Sequence, residues 1–195
     1  PHVDRLVLLQ NGMGQQQQLE NWLRTIHQAP SLWVASTTEG AYRRDQHTVV
    51  YAGIGETLAG PWSNDDDDAP LPPTWQRIPD IRTRLFHKLA VNAVINPLTA
   101  QHHCKNGELL TEPFRAQAEA LCHEVEAAFA QFNWPCPQPL WQTIIQVASA
   151  TANNRSSSLH DLEAGRPTEL AYITGHIMAQ ARRHILSLPL QQTLL

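Results

Sequence analysis

The sequence has 195 residues, 42% hydrophobic and 16% charged, with a formal net charge of −4. Such a length supports one domain or two small ones, and the acidic balance provides no basic face for nucleic acid. No apolar run approaches the roughly 20 residues of a membrane span, and no signal peptide is visible. Three cysteines without a CxxC pair favour a reducing compartment, so we expect a cytoplasmic protein.

The first zone, residues 1–75, has the pattern of an α/β segment. "RLVLLQ" (5–10) before "NGMG" predicts a strand and a loop, and "LWVASTT" (32–38) and "HTVVYAGI" (47–54) predict two further strands. Between them, "QQQQLENWLRTIH" (15–27) predicts a helix with an apolar stripe at Leu19, Trp22, Leu23 and Ile26. "PWSNDDDDAPLPP" (61–73) is typical of a solvated loop or linker, and a cation site at its aspartates is the alternative.

One glycine-rich stretch in this zone invites comparison with a dinucleotide-binding turn. "GIGETLAG" (53–60) follows a predicted strand, but Leu58 occupies the third glycine position. Pro-Trp-Ser-Asn-Asp follows instead of the helix whose N-terminus would hold a pyrophosphate. The pattern therefore favours a glycine-kinked hairpin.

The second zone, residues 76–195, predicts helices throughout. Three apolar stripes recur at helical spacing, and prolines at 135, 137 and 139 separate the first two. "RPTE", with Pro167 and Thr168, is a start signal for the third helix. The stripes are Phe114, Ala118, Leu121, Val125, Ala128, Phe129 and Phe132; Leu140, Trp141, Ile144, Ile145 and Ala148; and Leu170, Ile173, Ile177, Ala181 and Ile185.

Within this zone, "KLAVNAVINPLTA" (88–100) combines an apolar helix with a polar stripe. Lys88, Asn92 and Asn96 recur every fourth residue, so they line one helical face with a drift of about 40° per step. Pro97 removes one backbone hydrogen bond and biases Asn96 away from helical angles, so we expect the helix to end or kink there.

Two interpretations of this stripe follow from its spacing. It is either a polar network or solvent-facing stripe, or a site for a small anion or carbonyl. In the second interpretation partial burial lowers the pKa of the lysine so that it exchanges a proton. "QHHC" (101–104) lacks the spacing of metal ligands, and we predict no metal site.

Four motifs together resemble the ketopantoate reductase (2-dehydropantoate 2-reductase) family. They are "QNGMG" (10–14), "KLAVNAVINPLTA" (88–100), "NGELL" (106–110) and "ATANNRSSSLHDLEAGRPTELAYITG" (150–175), in the family's order. The resemblance implies a Rossmann-type nucleotide-binding domain, here its C-terminal part at 1–75. An all-α substrate-binding domain like that of 6-phosphogluconate dehydrogenase follows at 76–195. The implied activity is NADPH-dependent reduction of 2-dehydropantoate, a 2-keto acid, to pantoate.

The resemblance also implies roles for individual residues. Lys88 matches the catalytic lysine that supplies a proton to the substrate ketone, and Glu169 matches an acidic residue that contacts this lysine or the substrate hydroxyl. Asn11 matches a residue at the junction of nicotinamide and substrate. The substrate-binding positions are Asn92, Asn96, Asn154 and Ser157, the last two expected on one helical face.

Simpler interpretations of these residues stay open. Glu169 lies at a predicted helix start, where a carboxylate is favoured by the helix dipole alone. Ser157 lies in a serine run that is typical of caps and loops, and Asn106 in "NG" is better explained as a turn residue than as a binding residue.

The sequence departs from the family because the opening strand and its GxGxxG turn are missing. It also begins at Pro1, without Met and close to a strand, so we expect a piece of a longer protein that does not bind NADPH tightly by itself. The alternative is a truncated non-catalytic relative or a helical association module. Homo-oligomerisation is possible, and neither nucleic acid nor membrane is expected as a partner.

Overall fold

The computed structural model describes residues 3–63 and 69–194, and the chain divides into two compact units. The first unit comprises Pro1–Gln10 and Gly14–Arg84, and the second comprises Asn11–Met13 and Leu85–Leu195. The last residue of the first unit is Arg84, whereas the sequence predicted a boundary after residue 75. The assignment of residues 11–13 to the second unit was not predicted.

A mixed four-stranded sheet with the strand order β1-β2-β5-β6 forms the framework of the first unit. β1 and β2 run parallel, as do β5 and β6, and β2 pairs antiparallel with β5. A separate antiparallel pair is formed by β3 and β4. The elements are β1 (Arg5–Leu8), α1 (Gln15–Leu23), β2 (Ser31–Thr37), β3 (Gly40–Arg43), β4 (Val49–Gly53), β5 (Thr57–Pro61) and β6 (Trp75–Arg77).

The centre of this sheet is β2, which is buried along residues 32–36. A near-continuous apolar run is typical of a strand covered on both faces. Trp33 is fully buried, and the guanidinium groups of Arg5 and Arg77 lie 3.9 and 4.9 Å from the centre of its ring. The predicted strands at 5–10, 32–38 and 47–54 are confirmed by β1, β2 and β4.

Helix α1 forms within the predicted segment, but its predicted buried face is confirmed only at Leu23. Gln16, Glu20 and Leu23 are buried, while the side chain of Trp22 is 57% exposed. Glu20 is buried in place of an apolar residue because its hydrogen-bond partners lie on that side of the helix. The Glu20 carboxylate accepts hydrogen bonds from Gln17 Nε2, Arg24 Nη2 and the buried Trp62 Nε1 at 2.9, 2.8 and 3.3 Å.

The glycine-rich stretch at 53–60 is not a hairpin, which corrects the sequence interpretation. Gly53 ends β4 in one sheet and Gly60 lies in β5 of the other, so the stretch connects two sheets. No helix follows it, as predicted, because residues 57–61 form β5. A side chain at Gly60 would collide with the carbonyl of Ile78, so glycine here serves a close approach of two backbones.

The remaining expectations for the first zone are confirmed only in part. The segment after β5 has neither helix nor strand at residues 69–72, but Asp65–Asp68 and the cation site considered there lie outside the described residues. The short strands β3 and β6 were not predicted. Because β6 extends to Arg77, the second zone does not begin with a helix.

Helices dominate the second unit, which confirms the predicted fold class of an α/β segment followed by an all-α domain. Two 3₁₀ turns, Asn106–Leu110 and Glu169–Tyr172, interrupt the helices. None of the helices in the described residues is long and apolar enough to cross a membrane. The helices are α2 (Ile81–His102), α3 (Arg115–Phe132), α4 (Leu140–Ala150), α5 (Ser157–Glu163), α6 (Thr174–Arg183) and α7 (Pro189–Thr193).

Two of the three predicted apolar stripes are confirmed. All predicted positions within α3 are buried, and on α4 the positions Leu140, Ile144 and Ala148 are buried. The other predicted positions, Phe114, Trp141 and Ile145, are partly buried. The third stripe is wrong as a single helix. At Ile173 the backbone leaves the helical region (φ −103°, ψ −88°), and Ile185 lies beyond the end of α6 with its side chain 97% exposed.

The expected end of the helix at Pro97 is wrong, because α2 continues to His102, while a kink at this position stays a prediction. Pro97 cannot donate to the carbonyl of Ala93, yet that carbonyl has a partner. Gln191 Nε2, on α7, donates a buried hydrogen bond to it at 3.1 Å. The second unit thus satisfies the backbone group that proline leaves open, and the helix persists.

Candidate functional site

The polar stripe of α2 is preserved in the structure. Lys88, Asn92 and Asn96 lie on one uninterrupted helix, so their spacing places them along one face. Lys88 and Asn92 are partly buried, and Asn96 is buried with 5% of its surface exposed. This gradient describes a polar face that deepens along the helix toward Pro97.

At the deep end of this face, Asn96 meets the beginning of α5. Asn96 Nδ2 donates to Ser157 Oγ at 3.4 Å, across 61 residues of sequence. Ser156 caps α5 by accepting from the backbone N–H of Leu159 at 3.1 Å. The Ser156 hydroxyl also lies 2.6 Å from that of Thr99, and both residues are buried. Two adjacent contacts therefore fix Ser157 relative to α2.

A second pairing joins the turn after β1 to the 3₁₀ turn that begins at Glu169. Asn11 Nδ2 donates to Glu169 Oε2 at 2.9 Å, and the backbone N–H of Met13 donates to the carbonyl of Tyr172 at 3.0 Å. Gly12 has φ +78°, and a Cβ there would lie 2.6 Å from the Tyr172 carbonyl oxygen. Glycine is required at this position both for its backbone angle and for the close approach.

Asn154 does not share a helical face with Ser157, which corrects the sequence expectation. Asn154 lies in the exposed loop before α5, whereas Ser157 is the first residue of that helix. The loop is held by its backbone, because the Asn154 carbonyl accepts from the N–H of Asn106 at 3.0 Å. Asn106 is buried and its Nδ2 donates to Thr151 Oγ1 at 2.9 Å, which supports a structural role.

The structure thus links Asn96 with Ser157 and Asn11 with Glu169, and it aligns Lys88 and Asn92 with Asn96 on α2. Three residues that matter to this arrangement were missed in the sequence. Ser156 had a detectable signal, because a serine three residues before an apolar position is a cap pattern. Thr99 and Gln191 carry no local signal, since their partners are 57 and 98 residues away.

The described residues contain no group of three or more His, Cys, Asp or Glu side chains arranged for a metal ion. In the "QHHC" stretch, His102 Nε2 lies 2.7 Å from Gln117 Oε1, and Cys104 is buried. Burial is the main cause that raises the pKa of the Cys122 and Cys136 thiols to about 12. These thiols are therefore protonated at neutral pH and are poor nucleophiles.

Two family models match the chain. "Ketopantoate reductase PanE/ApbA" covers residues 1–64 and "Ketopantoate reductase PanE/ApbA C terminal" covers residues 80–195. The chain belongs to the ketopantoate reductase family, a family of oxidoreductases.

Individual relatives agree with this assignment. A 2-dehydropantoate 2-reductase of Vibrio cholerae is 34% identical over 208 residues, covering 100% of this chain and 68% of the relative. The crystal structure of a probable 2-dehydropantoate 2-reductase from Bacillus subtilis superposes with a TM-score of 0.81 at 29% identity, covering 100% of this chain and 67% of that one. The chain spans about two thirds of the length of the curated relatives it matches.

The fold extends to more distant proteins. A D-mandelate dehydrogenase solved with NADH has a TM-score of 0.83 at 17% identity, and the match covers 97% of this chain and 67% of that one. At this identity the likeness concerns the fold alone.

Proposed function

We propose that this chain provides the substrate-binding and proton-donating part of an NADPH-dependent 2-dehydropantoate 2-reductase. The observation that carries the proposal is the polar face of α2, with Lys88 and Asn92 partly buried and Asn96 bonded to Ser157. Such a face, surrounded by apolar residues, suits a small, polar 2-keto acid. The chain's membership of the reductase family supports the same conclusion.

In this function Lys88 is the proton donor. As hydride adds to C2 of the keto acid, the electron pair of the C=O π bond moves to oxygen, and Lys88 transfers a proton to that oxygen. The ketone becomes a hydroxyl, and the neutral lysine recovers its proton from solvent. A cation placed beside the developing alkoxide also stabilises its charge before the proton moves.

The remaining residues orient the substrate. The amides of Asn92 and Asn96 bind its oxygen atoms, and the Ser157 hydroxyl, held by Asn96, binds its hydroxyl or carboxylate. Asn154 is exposed in the loop beside α5, so its side chain contributes at the rim. Glu169 contacts the substrate hydroxyl or Lys88, and its bond with Asn11 fixes the direction of its carboxylate.

A bound NADPH would supply the hydride. The described residues fit only part of such a cofactor. Asn11 and its glycine-containing turn suit the nicotinamide end, while "GIGETLAG" runs from one strand to another and offers no helix N-terminus for a pyrophosphate. We therefore expect weak binding of NADPH by this chain alone.

Free thiols at Cys104, Cys122 and Cys136 support a reducing, cytoplasmic location.

Titration of the purified chain with 2-dehydropantoate, followed by calorimetry, tests the substrate half of the proposal. Saturable binding that weakens in Asn96→Leu and Ser157→Ala, but not in the exposed-site variant Ser149→Ala, is the expected result. Turnover is tested in a form extended ahead of Pro1 by a GxGxxG-bearing βαβ segment, with pantoate detected by mass spectrometry. Absence of binding by the chain and of turnover by the extended form would reject the proposal.

A further inference from the structure

The side-chain amide of Gln191, the buried glutamine of α7, has a single hydrogen-bond partner among the described residues. Gln191 is fully buried, and its Nε2 donates to the carbonyl of Ala93 at 3.1 Å, while its Oε1 accepts no hydrogen bond within the part of the chain described. Burying a polar amide is unfavourable unless it is compensated. The bond to Ala93 is therefore the interaction that explains a glutamine at this position.

Ala93 needs such a donor because of its place in the helix. In a regular α-helix its carbonyl would accept from the N–H four residues later, and that residue is Pro97, which has none. Ala93 and Pro97 are both buried, so bulk water does not reach the carbonyl. The Gln191 amide occupies the role of the missing N–H.

Helix α7 is held so that Gln191 reaches this carbonyl. The carboxylate of Glu124, on α3, accepts from the backbone N–H groups of Leu190 and Gln191 at 2.9 and 2.7 Å. Charge-assisted bonds to a helix beginning fix both its position and its direction. A chain of contacts thus runs from α3 through α7 to the proline turn of α2.

The supported turn lies between two residues of the candidate site. Asn92 directly precedes Ala93 and Asn96 directly precedes Pro97. We propose that Gln191 is a positioning residue, whose amide replaces the N–H absent from Pro97 and keeps this turn helical, so that Asn92 and Asn96 present their amides on one face. The role of that face in binding a keto acid rests on the proposed function above.

The first test follows the side-chain amide signals of the asparagines by NMR in the complete 195-residue chain. Gln191→Met keeps the size of the side chain and removes the donor, and Gln192→Met changes the exposed neighbour as a matched control. We expect Gln191→Met to shift or broaden the signals of Asn92 and Asn96, and to leave that of Asn106 unchanged. Unchanged Asn92 and Asn96 signals, or an equal response to Gln192→Met, would overturn the proposal.

The second test restores the backbone donor. Pro97→Ala returns an N–H to the helix, so Gln191→Met should cost much less in that background than in the wild type, by Tm and by the same amide signals. If Gln191→Met alone does not fold, recovery of folding in the double variant supports the proposal. An equal loss in both backgrounds, or no recovery of folding, contradicts it.

A third measurement separates this inference from the proposed function. In calorimetric titrations with 2-dehydropantoate, Gln191→Met should raise Kd by about fivefold, the loss expected when one asparagine amide no longer reaches the ligand, and Gln192→Met should leave it unchanged. If the wild-type chain binds no 2-dehydropantoate, the proposed substrate role fails, and the amide signals still decide the role of Gln191. If the wild type binds and Gln191→Met binds equally well, the positioning role fails while the proposed function stands.

Discussion

Helices α2 and α3 are the two longest helices in the described residues, and they contribute to the second unit in different ways. α3 buries a regular apolar stripe, while its polar residues are exposed or, like Glu124, partly buried. α2 is buried along much of its length, and three of its polar groups have individual partners. Asn96 pairs with Ser157, Thr99 lies against Ser156, and the Ala93 carbonyl accepts from Gln191.

This difference distinguishes interactions that mainly stabilise the fold from interactions that mainly position individual polar groups. Apolar burial is strong but non-directional, so a stripe such as that of α3 stabilises packing without fixing the orientation of any one group. Hydrogen bonds contribute less net free energy, but they specify which atoms meet. We therefore expect substitutions in the apolar stripe of α3 to act on folding, and substitutions on the polar face of α2 to act on ligand binding and turnover.

The largest effect is expected at Lys88. In a form extended by a GxGxxG-bearing segment, Lys88→Ala should lower kcat by about 10²–10⁴-fold, the usual contribution of a general acid, with a smaller change in KM. Steady-state kinetics measures both constants. Lys105→Ala, which changes the only other lysine, is the control. A loss of less than a few-fold in kcat/KM would remove Lys88 from its proposed role.

Next in size is the stability loss expected in α3. Phe129 is fully buried, and its ring centre lies 6.4 Å from that of Phe86 and 5.3 Å from that of Trp134. Phe129→Ala should lower the free energy of unfolding by about 3–5 kcal/mol, as measured by urea denaturation. Gln131→Ala, on the exposed face of α3, should change it little. Under conditions where the variant is folded, a large change in affinity for 2-dehydropantoate would contradict the separation of roles.

A smaller effect is expected at Ser157. Ser157→Ala removes a hydroxyl that accepts from Asn96 and is proposed to bind the substrate, so Kd for 2-dehydropantoate should rise by about fivefold. Stability should change little because Ser157 is exposed. Calorimetry and thermal unfolding separate these two outcomes, and a variant that loses stability but retains affinity would assign Ser157 to folding.

The smallest predicted effect is the contribution of His176 to the pH dependence of stability. His176 stacks on Trp134 with ring centres 5.4 Å apart. Burial, and secondarily the charge of Arg183, lowers the pKa of His176 below its usual value. As pH falls below about 6.5, His176 becomes protonated in the unfolded chain before it does in the folded chain. The free energy of unfolding therefore decreases between about pH 6.5 and the lower folded-state pKa of His176.

Replacing His176 by leucine should therefore reduce the loss of stability in that acidic window. Urea denaturation at a series of pH values measures the effect, and His160→Gln, at an exposed position, serves as the control. Equal pH profiles for the wild type and His176→Leu would show that this histidine does not contribute.

The parts of the fold that the sequence predicted are those in which neighbours in the chain determine the outcome. The stripe on α3 repeats every three or four residues, so its buried face follows from helical geometry. The same logic failed at α1, where Glu20 is buried because Trp62 and Arg24 bind it. Trp62 lies 42 residues away, and no periodicity detects a partner at that separation.

The candidate site shows the same limit. The polar stripe of α2 was visible as a spacing, and the contacts of Asn96 and Glu169 involve residues that the family resemblance had already singled out. The continuation of α2 through Pro97 was not predictable, because it depends on Gln191 at the other end of the unit. Asn154 and Ser157 do not share the expected helical face, because α5 begins at Ser157 and Asn154 lies in the loop before it.

The short segment Asn11–Met13 has a consequence for how the chain may be divided. Because it belongs to the second unit while residues on both sides belong to the first, the polypeptide passes between the units three times rather than once. A single cut after Arg84 would therefore separate Glu169 and Tyr172 from the partners that Asn11 and Met13 supply. Exchange of the helical unit between genes by one crossover would carry the same defect, so the two units are expected to be inherited together.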